Sequence, residues 1–205
     1  MKSLSSAFVI AAAVILSASS VSATPITFSA TLIGANEVPS TGSPGTGFAT
    51  VVLDTDPLVH SMSVTVDFSG LTSPTMASHI HCCLASPLLA GVNVMVATAV
   101  PTFPGFPLGV TSGHYSQVFD LLDAATYNPA FIASAFDPSH TVAGAETALV
   151  TGIENSETYL NVHTVAFPGG EIRGFLTPVP EPASLALLAT ALVGLGIVGR
   201  RRRKT

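Results

Sequence analysis

Two short stretches of this 205-residue chain bring imidazoles and thiols into spacings that do chemistry. His79-Ile80-His81 reads as part of a strand, where residues i and i+2 share a face; both rings then point one way and Ile80 the other. Far along the chain, Asn161-Val162-His163-Thr164 repeats the alternation, with Asn161 and His163 on one face. If the two strands lie near each other, His79, His81 and His163 converge. Three neutral imidazoles with a fourth position open form a standard zinc arrangement, and the same set suits copper. The plainer alternative is that the rings hydrogen-bond the backbone and organise loops as polar core residues. His60, His114 and His140 are scattered and offer no comparable pattern.

Cys82-Cys83 follows the first histidine pair directly, and these are the only two cysteines. In an exported chain they suit a disulfide. Adjacent residues have Cα atoms about 3.8 Å apart, under the usual window of roughly 4.4–6.8 Å, so such a bond is strained and more easily reduced. The alternative makes one thiolate a soft ligand beside the histidines, for copper(I) or zinc. The acids fall mostly at turns: Asp54-Thr55-Asp56-Pro57, Asp120, Asp123 and Asp137-Pro138. Asx side chains bonding their own backbone explain these positions. A calcium site at Asp54 and Asp56 lacks the remaining oxygen ligands. No nucleophile motif such as G-x-S-x-G is present, which favours a non-catalytic role.

The elements that must position these residues are strands. Ile26–Leu32, Phe48–Leu53, Met62–Phe68, Ala77–Cys83, Val92–Ala97, Tyr115–Phe119, Tyr159–Val165 and Glu171–Leu176 carry strand signals separated by turn residues. Met62, Val64, Val66 and Phe68 alternate with Ser63, Thr65 and Asp67 in the cleanest period-2 run. Two helical pieces interrupt, Pro129–Phe136 and Gly144–Glu154, the second with Ala145, Ala148, Leu149 and Ile153 at helical spacing. The fold class expected is all-β, a Greek-key-like β-sandwich with one or two short helices.

Charge placement narrows the partners. Between residues 24 and 180 Arg173 is the only cation against eleven acids, a formal charge of −10. A nucleic-acid binder needs a basic stripe, and a Schiff-base or phosphate-loop mechanism needs a lysine; neither is there. Glu171 and Arg173 flank Ile172 and are read as sharing a strand face. A lone arginine is expected to be structural, bonded to a carboxylate or to carbonyls.

Both ends carry processing signals. Lys2, the apolar run Ala7–Leu16 and the small residues ending at Ala23 describe a secretory signal peptide over residues 1–23, implying export by the Sec machinery and signal peptidase. At the other end, Pro180-Glu181-Pro182 precedes seventeen uncharged residues from Ala183 to Gly199, then Arg200, Arg201, Arg202, Arg203 and Lys204. The apolar stretch is at the lower limit of a membrane-spanning helix, and the basic cluster holds its end in the cytoplasm. This three-part order, over residues 178–205, resembles the PEP-CTERM protein-sorting signal. The resemblance implies a chain held briefly in the inner membrane and cut near the motif by an exosortase. Two function classes are expected from these readings: a non-catalytic exported module retained at or released from the cell surface, in an exopolysaccharide or biofilm matrix, and a metal-binding or redox protein using the three histidines.

Residues 24–177 form the intervening domain. Phe28-Ser29-Ala30 leads to Gly34-Ala35-Asn36-Glu37-Val38-Pro39; Gly70-Leu71-Thr72 precedes Ala77–His81. Tyr159–Thr164 and Pro168–Gly174 complete the pattern, and together these pieces resemble the CHRD domain of chordin-like and bacterial secreted proteins. The resemblance implies a β-sandwich used for binding or structure, and gives Asn161, Glu171 and Arg173 structural parts. The His-x-His strand is also similar to the copper-binding strand of copper/zinc superoxide dismutases, without the bridging histidine and zinc-ligand aspartate of those enzymes.

Overall fold

Strand β3, Ser61–Ser69, shows how alternation becomes a buried face: Met62, Val64, Val66 and Phe68 are buried and the residues between them are not. In this computed structural model, which describes residues 24–84, 91–134, 136, 138–180 and 190, it pairs along its length with two neighbours. The strands are β1 Ile26–Ile33, β2 Thr46–Asp54, β3, β4 Thr75–His81, β5 Gly113–Asp120, β6 Tyr159–Thr164, β7 Ile172–Phe175 and β8 Thr177–Pro178. They form one antiparallel sheet in the order β4-β6-β7-β1-β2-β3-β5, with β8 also on β1, curled into a half-barrel.

The all-β expectation holds, but the second layer of the expected sandwich is not a second sheet. The concave face is filled by Phe103, Phe106 and Tyr127 from connecting segments, by Phe131 of the short helix α1 (Pro129–Ile132), and by Ala145, Leu149 and Ile153 of α2, Val142–Glu154. Burying these apolar groups together drives the closure. Thr141 caps α2 by accepting a hydrogen bond from the Gly144 N–H, so the helix starts two residues before the apolar spacing suggests. α1 is a single turn capped by Asn128 and stops short of Phe136.

Residues 92–97 are not a strand; they make only an isolated bridge, His81 to Val96. Their carbonyls are taken by other groups: Val94 accepts from His81, Val92 from Arg173 and Met95 from the Cys82 N–H. The signal peptide and most of the sorting tail lie outside the described residues. No described helix is long and apolar enough to cross a membrane.

Candidate metal centre

Antiparallel pairing of β4 with β6 aligns His79 with Asn161, His81 with Tyr159 and Ala77 with His163. All three imidazoles therefore stand on one face, while Ile80 and Val162 enter the core on the other. The candidate ligand nitrogens of His79, His81 and His163 lie within 4.8 Å of one another. His79 and His81 are buried and His163 is half-buried, so solvent reaches the group on the His163 side.

The outer nitrogens settle the tautomers. His79 Nε2 donates to the Pro101 carbonyl at 2.7 Å, His81 Nδ1 to Val94 at 2.7 Å and His163 Nδ1 to Pro168 at 2.8 Å. A carbonyl can only accept, so each of these nitrogens carries the ring's hydrogen, and in the neutral ring the other keeps a lone pair. Those lone pairs, on His79 Nδ1, His81 Nε2 and His163 Nε2, face inward. His79 Nδ1 and His163 Nε2 are 3.3 Å apart with no hydrogen left to share, and His81 Nε2 has no hydrogen-bond partner. Burial keeps the rings neutral: desolvation, then the neighbouring His163, pushes the pKa of His79 down to about 4. Desolvation pushes His81 down to about 3 and lowers His163 as well. The plainer sequence reading is thus half of what is observed, since the rings do bond backbone, but with only one nitrogen each.

Arg173 closes the site's flank. It is 1% exposed, pairs with Glu37 at 2.8 Å, and donates to the Val92 carbonyl and to Asn93 Oδ1. Its guanidinium lies 3.9 Å over the Tyr159 ring, and Tyr159 stacks on His81 in turn. Burial raises the pKa of Glu37, against the pull of Arg173. Glu37 is the only carboxylate of the Gly34–Pro39 motif, which is the signal in the sequence for a partner to the lone arginine. Glu171 does not share this cluster. It precedes β7, so strand alternation does not reach it, and its carboxylate accepts from Ser43, Thr72 and Thr164. Burial alone would raise its pKa, yet these bonds outweigh it and the net shift is downward. Asn161 is buried between His79 and Arg173 in register, with its side-chain amide turned to the Glu37 carboxylate. Gly170, at φ 125°, leaves room beside it: a Cβ there would collide with the Glu37 carboxylate and the Asn161 amide.

Cys82 and Cys83 form the disulfide and do not join the imidazoles. The sulfurs sit under α2 at Gly152, where an added Cβ would lie 2.5 Å from Cys82 Sγ and 2.9 Å from Cys83 Sγ. The remaining histidines bond elsewhere: His60 to Glu146, His114 to Asp67 and His140 to the Ile132 carbonyl. Asp54, Asp56, Asp120 and Asp123 each accept from a backbone N–H two residues on, as turn residues do.

The family model of the CHRD domain matches residues 28–176, which contain every residue of the site. The chain belongs to the CHRD domain family. A second family model, the PEP-CTERM protein-sorting motif, matches residues 178–203 of this CHRD protein and implies an exported, cell-surface protein processed by an exosortase. Comparison with curated proteins and with solved structures finds no match.

Proposed function

We propose that this CHRD protein is a non-catalytic, metal-binding module of the cell surface or its exopolysaccharide matrix, delivered there by exosortase processing. The observation that carries the reading is the meeting of three inward lone pairs on His79, His81 and His163, each ring oriented by a backbone carbonyl on its outer nitrogen. Outer-sphere bonds of this kind fix ring orientation at metal centres. Neutral imidazoles are ready to bind at neutral pH without first losing a proton. Nitrogen donors without a thiolate or carboxylate suit copper or zinc, not calcium or magnesium. A bound ion would relieve the lone-pair contact between His79 and His163.

The test is metal content of protein purified without a polyhistidine tag. One equivalent of copper or zinc is expected after exposure to either, with retention in His81→Ala at least tenfold weaker while the melting curve stays cooperative. Substoichiometric metal in the parent protein would sink the reading.

A further inference from the structure

One rim of the sheet carries a group of exposed apolar residues and is also where the chain leaves the domain. β1 begins there at Ile26, β2 ends at Asp54, β3 begins at Ser61 and β5 ends at Asp120. The register makes these ends level: Ile26 pairs with Leu53, Leu53 with Met62, Met62 with Phe119. β8 runs out alongside, with the Val179 N–H bonded to the Thr27 carbonyl at 2.8 Å. Ile26, Val59, Leu122 and Val179 are exposed on this rim, and Leu58, at the tip of the β2–β3 turn, is 94% exposed.

Single exposed apolar residues call for no explanation, but a group of five at one end does. The uncharged run Ala183–Gly199 starts three residues after Pro180, and three extended residues reach about 10 Å. A bilayer holding that run therefore lies within reach of the rim. Asp120 and Asp123, exposed here, and the half-buried Asp54 and Asp56 beside Leu58 oppose an anionic surface.

We propose that, before the tail is cut, this rim seats the domain on zwitterionic lipid of the membrane that holds the tail, with Leu58 and Leu122 entering the headgroup layer. The imidazoles then stay clear of the bilayer. The row of His79 runs through Asn161 and Arg173 to Ile33 of β1, seven residues and about 24 Å from Ile26, and His81, two residues nearer the rim, is still about 17 Å away.

The chain contains no tryptophan, so one introduced residue is an unambiguous probe. Leu58→Trp is compared with Leu108→Trp, which is also exposed but at the opposite end, where the Gly109 N–H bonds the Thr75 carbonyl. Full-length protein of each kind is reconstituted through its tail into phosphatidylcholine vesicles containing brominated acyl chains. Emission from Leu58→Trp is expected to be blue-shifted and quenched at least twofold more than that from Leu108→Trp. Equal quenching of the two, or none in either, overturns the proposal.

Discussion

The side chain that most repays attention at the residue scale is Arg173, the only cation of the domain, held between Glu37 and the Tyr159 ring. A buried pair of this kind is not strong evidence of net stability, because desolvation offsets the attraction, and the raised pKa of Glu37 reports that cost. Removing one partner is a different matter, since it strands the other charge. Arg173→Ala is expected to lower unfolding stability by about 3–5 kcal/mol, measured by urea denaturation. Glu37→Leu combined with Arg173→Met should recover most of that loss. If Arg173→Ala unfolds at the parent's urea midpoint, the arginine is not structural. The same stack explains why the histidines need no carboxylate to orient them. Tyr159 supports His81 from one side while backbone carbonyls fix the rings.

Among the elements, α2 docks through a titratable contact. His60, just before β3 and at φ 45°, bonds Glu146 of α2 at 2.7 Å. The Glu146 hydrogen bond, chiefly, raises the His60 pKa above 6.5. A raised histidine pKa means that the contribution is fully present below pH 6.5 and is lost as pH rises through the raised value. The melting-temperature difference between the parent and Glu146→Gln should therefore shrink between pH 6 and pH 9. A difference that does not change with pH would show that the pair does no electrostatic work. On its other side, α2 accommodates the disulfide only because residue 152 is glycine. The helix thus links two features that are far apart in sequence.

At the scale of the whole molecule, the charge is divided by processing. The domain holds one cation against eleven acids, while five of the seven cations sit in the last six residues. A cut near the motif would leave a strongly acidic module and separate it from the positive end. Replacing Glu181 and Pro182 by alanine is expected to leave an uncut, heavier precursor in the membrane fraction of the native host, read by immunoblot. Normal maturation of that variant would separate the sorting-motif match from exosortase recognition.

Several parts were legible in the linear chain because they depend on local order. Strand alternation in β3 and β6, the His-x-His face, the turn aspartates and the sorting tail all follow from spacing or composition within a few residues. Other parts depend on which segments meet, and spacing does not encode that. Alternation predicts a buried face but not what covers it, so one curled sheet filled by α2 and the connecting segments stands where two sheets were expected. Residues 92–97 have strand-like composition, yet their carbonyls serve His81, Arg173 and Cys82 instead of a ladder. The sequence by itself determined that the chain is an exported acidic β-protein with three well-placed histidines. Only the tertiary structure decided that their lone pairs converge, that the cysteines pack against α2 at Gly152, and that Glu37 answers Arg173. Those outcomes rest on strand register and burial, which bring together His79 and His163 from 84 positions apart and set Glu37 against Arg173 across the sheet.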